Sequence, residues 1–229
     1  MRSWNGHKIN DCITNQSSRC LAAAANIAVD GRKQEIAMNS KIRICTKKDA
    51  RVLAEITRKS FQDVADRFGL TPENAPRHPS NCTVDRIREH MERGITYFAI
   101  EDNNHVVGCV ALEKANSEVC YLERLAVLPN QRRRGFGEAL VNHVLSEAKL
   151  LGVNCVSIGI IAEQTELNDW YKRLGFVERE SKEFPQLPFR VTFMSYGIKK
   201  SCQQYAPLDG VGPCRLDTTL DQNIIAWEE

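Results

Sequence analysis

The sequence predicts an α/β (α+β) chain built on a mixed sheet, and three observations predict it. Segments of strand length with alternating apolar residues are interleaved with amphipathic helical stretches rather than kept apart from them. One segment, VNCVSIGII at 153–161, is an almost unbroken apolar run, as expected of a strand covered on both faces. Between 119 and 151 an apolar strand, a Gly-rich turn and a helical pattern follow one another directly. With 229 residues the chain is long enough for one domain with a sizeable core.

The elements follow in order. Residues 1–40 are polar and without period except for LAAAANIAV, and read as a poorly structured extension. LAAAANIAV begins too late and is too poorly flanked for a good signal peptide, and Met38 is an alternative start, since KIRIC (41–45) at once alternates like a strand. Thr46 and Asp49 make a capping box, and a helix follows with Leu53, Ile56, Val64 and Phe68 near one face and Gly69 as its stop. LTPENAPRHPSNC (70–82) is a Pro-rich loop, and Thr83 caps a short helix that ends by Gly94. ITYFAIE (95–101) and VVGCVALEK (106–114), joined by a turn at Asp102–Asn104, form a hairpin. VCYLERLAVL (119–128) is a strand, 137–151 a helix stopped by Gly152, and 153–161 the covered strand. ELNDWYKRL (166–174) is a short helix closed by Gly175, and FVERE and FRVTFMSYGI (189–198) are the last strands. Residues 201–229 read as a loose tail.

Composition narrows the function. The formal net charge of +2 gives no reason to expect a nucleic-acid partner. No stretch approaches the roughly 18 apolar residues of a membrane span. The nine cysteines are odd in number and lack CxxC spacing, so neither a disulfide framework nor a zinc site is expected, and buried thiols in the cytoplasm are. No histidine pair has metal-ligand spacing.

The turn at 127–140, VLPNQRRRGFGEAL, suits an anion. First-turn amides of a helix lack intrahelical acceptors, and the helix dipole adds partial positive charge there. Gly135 and Gly137 carry no Cβ to keep a phosphate off the backbone, and Arg132, Arg133 and Arg134 add formal charge. The pattern is not a Walker loop, which needs G-x-x-x-x-G-K-[ST], and a dinucleotide fingerprint would need a small residue where Leu140 stands. Read alone, the turn leaves a phosphate ligand, a nucleic-acid contact and a merely solvated helix start all open.

Its surroundings carry a resemblance. The strand ending Leu125-Ala126-Val127-Leu128-Pro129, then Arg132, Gly135 and Gly137 at the spacing [QR]-x-x-G-x-[GA], resembles the signature of the GCN5-related N-acetyltransferase (GNAT) superfamily. A second block, Trp170-Tyr171-Lys172-Arg173-Leu174-Gly175-Phe176, is similar to the family's aromatic-Tyr-x-x-Leu-Gly-Phe run. The resemblance spans about 41–198 and implies an N-acetyltransferase domain at 41–200. The implied fold is a mostly antiparallel twisted sheet whose two central parallel strands, 119–128 and 153–161, splay apart.

The resemblance implies further that the turn cradles the pyrophosphate of acetyl-CoA, through Arg132, Arg133, Arg134, Gly135, Phe136 and Gly137; the histidine spacing gives no reason to expect a metal. The pantetheine arm would lie against the backbone of Leu125 and Val127, with the acyl carbonyl near the amide of Leu125 or Ala126. Tyr171 is the implied general acid for the departing thiolate, and a phenol with a pKa near 10 is protonated at neutral pH. Glu123 is the candidate base; the alternative is a surface glutamate paired with Arg124 or Lys114. Tyr121 shares its face by two-residue alternation and is a candidate for the acceptor pocket. Many members carry an asparagine seven residues before the tyrosine; Gln164 stands there, and Asn168 is a second candidate for that cofactor contact. His78 either touches substrate or is a solvated loop histidine.

The implied reaction is direct transfer from acetyl-CoA to a primary amine in a ternary complex, with a small-molecule acceptor. The alternatives are a protein N-terminal or lysine acetyltransferase and a non-catalytic acyl-CoA-binding module. The reading expects no nucleic acid and no membrane, and leaves a homodimer open.

Overall fold

Residues 40–198 are described by the computed structural model; the expectations for 1–39, the alternative start at Met38 included, and for 201–229 lie outside them. KIRIC opens β1 (Ser40–Ile44), and Cys45 leaves the strand while its amide still donates to the Tyr97 carbonyl at 2.8 Å. The Thr46 capping box is formed: the Thr46 amide donates to Asp49 Oδ2 at 2.8 Å. It opens a single 3-10 turn, Lys47–Asp49, from which α1 (Ala50–Phe68) continues to Gly69, whose φ of 62° supplies the left-handed stop. Past the Pro-rich loop, with one 3-10 turn at Pro79–Asn81, the Thr83 hydroxyl accepts from the Arg86 amide at 3.1 Å and starts α2 (Val84–Glu92).

The hairpin is β2 (Thr96–Asp102) and β3 (His105–Lys114). Asn103 and Asn104 sit at its tip with φ of 50° and 63°, the paired positive values that match a hairpin turn to strand twist. β4 (Val119–Val127), α3 (Phe136–Leu150), β5 (Cys155–Ile161), α4 (Thr165–Arg173), β6 (Val177–Glu183) and β7 (Arg190–Gly197) follow. Except for β6, read as ending at 180 and found to run to Glu183, all boundaries fall within about two residues of those read from the sequence.

The seven strands form one sheet in the order β1-β2-β3-β4-β5-β7-β6. The registered pairs β2/β3, β3/β4, β5/β7 and β6/β7 are antiparallel, and β4/β5 is parallel. That parallel pair is short: Val119, Cys120 and Tyr121 oppose Cys155, Val156 and Ser157, and no pairing follows. Beyond it β4 stays paired with β3 as far as Val127, and β5 with β7 as far as Ile161. A wedge therefore opens between the carboxyl halves of β4 and β5, the crevice in which ligands of α/β sheets bind.

Alternation along β2 sends Tyr97 and Ala99 to one face and Phe98 to the other. The first face packs with Leu53, Ala54 and Ile56 of α1 and Ile87 of α2 in a buried cluster that also takes in Cys109, Ala111 and Ala126. On the second face Phe98 meets His143 of α3 edge-on at 4.6 Å, and Phe136, Leu140, Val141, Val144 and Ala148 of that helix are buried. β5 is covered on both faces, with Gly159 its one exposed residue.

β3 and β4 approach closely at Gly108. A Cβ built there would lie 2.7 Å from the Ala126 carbonyl oxygen and 3.2 Å from Ile100 Cγ2. The first obstacle is backbone, so rotamer changes cannot relieve it. Gly108→Ala is expected to cost about 1–3 kcal/mol through overpacking, read as a lower denaturant midpoint at unchanged m-value.

Cys45, Cys82, Cys109 and Cys120 are free and buried. Cys155 departs from the expectation of free thiols, being disulfide-bonded; cysteine spacing argues against a framework of bridges, not against a single one. Among the described residues no helix is long and apolar enough to cross a membrane, and no group of three or more His, Cys, Asp and Glu could hold a metal ion.

Candidate active site

The wedge between β4 and β5 collects most of the residues singled out above. α3 begins just past the carboxyl end of β4, and α4 just past that of β5, so two helix starts flank one opening. They touch: a Cβ on Gly137 would meet the Trp170 ring at 3.6 Å and Val127 Cγ2 at 3.9 Å. Gly135 caps α3 at φ 89°, a left-handed conformation natural to glycine, and Arg133 is also left-handed at φ 61°. This pair of reversals turns the chain sharply. Among the described residues the amides of 133–137 donate to no acceptor; Ala139 donates to the Gly135 carbonyl at 3.0 Å.

The three arginines divide. Arg132 is turned away from the amides and clamps the turn to α1: its guanidinium donates to both carboxylate oxygens of Asp63, at 2.5 and 3.1 Å, to the Ser60 carbonyl at 2.5 Å and to the Val127 carbonyl at 3.2 Å. Arg134 bonds Gln131, pairs with Asp102 at 2.9 Å and lies over the Phe136 ring at 4.8 Å. Arg133 is exposed and carries no such tie among the described residues. The notion of three arginines adding charge to the turn is thus refined: two serve as struts, and Arg133 is the one left to solvent.

β4 bends where it lines the wedge. Cys109 opposes Ala126 while Ala111 opposes Glu123, so Arg124 and Leu125 together face the single residue Val110. This is a bulge, and Arg124 sits in it at φ 49°. A left-handed non-glycine residue costs about 1–2 kcal/mol and is the kind of strain that collects at functional sites. The bulge breaks the alternation after Glu123, so Leu125 and Val127 follow a new phase, while Ala126 joins the core at 1 % exposure.

Tyr121 and Glu123 share a face, opposite Glu113 and Ala111. Tyr121 is buried in a cluster with Val119, Cys155 and Phe193 and so forms the floor rather than the rim of the wedge. Glu123 is paired with Arg124 at 2.5 Å, the two side chains 13 % and 10 % exposed; of the two partners weighed from the sequence, Arg124 is the one it takes. Tyr171 lies in an aromatic stack, 4.8 Å from Trp170 and 5.2 Å from Phe176 between ring centroids. It is 4 % exposed, and burial pushes its phenol well above the ordinary tyrosine value.

Gln164 is the N-cap residue of α4, without a side-chain cap. Asn168 donates to Glu178 Oε2 at 3.1 Å, so its amide nitrogen is spent on β6. His78 is not a solvated loop histidine: it is 2 % exposed, its Nδ1 lies 2.8 Å from Ser80 Oγ, and it meets Phe61 edge-on. The prolines that mark the segment as a loop also fold it back onto α1, which is why it is buried.

Besides His90, a histidine of the acceptor-side elements, three polar groups there are not singled out by sequence reasoning: Tyr97, Glu113 and Arg86. His90 Nδ1 and the Tyr97 hydroxyl are 2.8 Å apart in the core. Among the described residues the buried Oε2 of Glu113 has no partner, and burial, then the charge of Glu123, raises its pKa. Arg86 likewise has a buried Nη1 without a partner. Of these three, Glu113 is the one the sequence could have pointed to, as the β3 residue opposite Tyr121 and so on the face of Glu123.

Burial holds His78 at a pKa of about 4 and His90, with help from nearby arginines, at about 3. Both are depressed below the ordinary 6.5, so the unfolded chain binds the extra protons. Their contribution to stability is complete above pH 6.5 and falls as the pH drops from there toward 4 and then 3. The denaturant midpoint is expected to decline already between pH 6.5 and 5, above the range where carboxylates titrate; a flat profile there would show the two rings to be accessible.

The comparisons agree with this geometry. The family model described as Acetyltransferase (GNAT) family matches residues 58–176, more than half of the chain. The chain belongs to the acetyltransferase (GNAT) family. Among curated relatives it is 28 % identical over 113 residues to an amino-acid acetyltransferase of Neisseria meningitidis serogroup A, an alignment covering 48 % of this chain. That alignment spans only 25 % of the relative's length. Among solved structures, the ribosomal-protein-S18-alanine N-acetyltransferase of Escherichia coli superposes with a TM-score of 0.57 at 16 % identity, covering 73 % of this chain and 99 % of that one. The PaiA N-acetyltransferase of Thermoplasma acidophilum, in complex with coenzyme A, gives 0.57 at 15 % identity, covering 69 % and 99 %. At such identities these two likenesses speak for the fold.

Proposed function

We propose that this chain transfers the acetyl group of acetyl-CoA to the primary amine of a small molecule, by direct attack in a ternary complex, and that it works in the cytoplasm. One observation carries the reading: the acceptor-less amides of 133–137 flank an opening in the sheet whose other flank holds Tyr171. The pyrophosphate would accept from those amides at the positive end of α3. The pantetheine arm would use the free inner edge of β4 at Leu125 and Val127, and the thioester oxygen the amide of Leu125 or Ala126 at the bulge. Gln164, ahead of α4, is the amide side chain best placed by sequence for a further cofactor contact; Asn168 would first have to leave Glu178.

In the reaction the amine nitrogen, once neutral, attacks the thioester carbonyl. The C–N bond forms, the C–S bond breaks, and amide and coenzyme A thiol leave. The ammonium proton passes to Glu123, directly or through water, and Tyr171 donates a proton or hydrogen bond to the departing sulfur. Tyr121 and His78, being buried, would shape the acceptor pocket from beneath.

Calorimetric titration of acetyl-CoA into the full chain at two salt concentrations tests the cofactor step. Saturable one-site binding is expected; folded protein that binds none would sink the reading. A competing use of the turn, binding nucleic acid, would need the steep salt dependence of a polyphosphate contact. With two of the three arginines held by aspartates, that slope is expected to be shallow.

A further inference from the structure

The turn that carries the amides of 133–137 is strained. Arg133 and Gly135 are both left-handed, at φ 61° and 89°. Glycine takes that conformation freely, whereas an arginine holds it at a cost and stays there only where its surroundings over-determine it. Beyond the turn α3 supplies such a constraint, with Phe136 buried at its start. Before it the constraint is Arg132, the neighbour of the strained residue. Its backbone is extended, at φ −64° and ψ 163°. Its guanidinium takes both oxygens of Asp63, at 2.5 and 3.1 Å, with the Ser60 carbonyl at 2.5 Å and the Val127 carbonyl at 3.2 Å. Asp63 and Ser60 lie on α1, and α1 is a firm anchor. Its Leu53, Ala54 and Ile56 are core residues, and its Ala65, with Val64 and Phe68 beside it, shares a cluster with Ile161 at the end of β5. Asp63 therefore ties the turn after β4 to a helix that is itself seated on the end of β5.

We propose that Asp63 is a positioning residue for the cofactor cradle: acting through Arg132, it fixes the turn so that the amides of 133–137 converge on one anion. This rests on the acetyl-transfer reading and adds to it a residue that never touches the cofactor. Bidentate pairing fixes the orientation of a guanidinium as well as its distance. An isolated exposed ion pair contributes little, and the Asp63 and Arg132 side chains are 53 % and 37 % exposed. The two carbonyls make this pair a network, and its effect falls on the local geometry of the turn rather than on the stability of the whole fold. Two roles for Arg132 are thus opposed in sign. If its charge were a phosphate contact held back by Asp63, removing the carboxylate would release it and tighten binding, as Coulomb's law alone also predicts. If Asp63 keeps the turn in shape, removing the carboxylate weakens binding.

The test is calorimetric titration of acetyl-CoA into the full chain and into Asp63→Asn, Arg132→Met and the double variant, at about 0.15 M salt, where charges more than about 8 Å apart are largely screened. Asp63→Asn keeps the shape of the side chain and removes its charge. It is expected to raise the Kd about tenfold, the scale of the strain in one left-handed residue, with the melting temperature within about 3 °C. Arg132→Met is expected to raise the Kd as much and the double variant no further, because both changes undo one clamp. In amide NMR of the free chain, Asp63→Asn is expected to move the resonances of 133–137, which a role confined to the packing of α1 would leave in place. Arg132→Lys keeps the charge and loses the planar fork, so it puts the same question, with the same expected loss, where Asp63→Asn fails to fold. Unchanged or tighter binding by a folded variant, unmoved resonances at 133–137, or losses that multiply in the double variant would each overturn the proposal. Those results leave acetyl-CoA binding by the unaltered chain intact, whereas its absence removes the acetyl-transfer reading and this proposal with it.

Discussion

Tyr171→Phe is expected to lower kcat by about 100-fold, the lower end of general acid catalysis, while the Kd for acetyl-CoA stays within about twofold. The substitution removes one oxygen and keeps the ring, so the stack with Trp170 and Phe176 survives. The hydroxyl has no hydrogen-bond partner among the described residues, so its removal orphans nothing. Burial raises the phenol pKa, which keeps it protonated at any working pH. The same burial makes it a poorer acid than a thiol, whose pKa is near 8.5. Complete proton transfer to sulfur is then uphill, and the phenol acts chiefly by donating a hydrogen bond as charge builds there. That is why the lower end of the range is expected. Rapid-quench measurement of a single turnover, beside calorimetry of acetyl-CoA, separates the two quantities. Unchanged chemistry with a lowered melting temperature would make Tyr171 a packing residue.

Most of the frame was legible because it rests on short-range chemistry. Thr46, Thr83, Gly69 and the Asn103–Asn104 tip each act within a few residues of themselves, and each does in the structure what its type suggests. The β4/β5 wedge was legible only through the family resemblance, since nothing local announces where two parallel strands part. The bulge at Arg124 was not legible at all. It depends on a mismatch between β3 and β4 that appears only when the strands are aligned, and an arginine at positive φ has no sequence signature. Arg132 shows the same limit. Its charge was plain, but its partner Asp63 lies 69 residues away, and only the fold shows the side chain to be a clamp. The burial of His78 is illegible for a related reason: prolines mark a loop without saying what the loop covers.

Gly137→Val is expected to weaken acetyl-CoA about 10- to 100-fold, a loss of roughly 1.4–2.8 kcal/mol, with little loss of fold stability. The two glycines of the turn differ in what they need. Gly135 occupies the left-handed region at φ 89°, so any side chain there strains the backbone and a binding defect would be confounded with misfolding. Gly137 does not, and a Cβ on it would make ordinary contacts of 3.6 Å with Trp170 and 3.9 Å with Val127. The fold thus has room for a methyl, and alanine in the first turn of a helix is intrinsically better than glycine. Gly137→Ala should therefore keep the melting temperature while raising the Kd modestly. The γ-methyls of valine extend over the amides of the turn, where an oxyanion would have to come within about 3 Å. A graded loss of affinity from glycine to alanine to valine, at constant melting temperature, is the signature of a ligand seated on the backbone. If valine bound acetyl-CoA as well as glycine does, the pyrophosphate would not lie on these amides, and Arg133 would become the remaining anion contact of the turn.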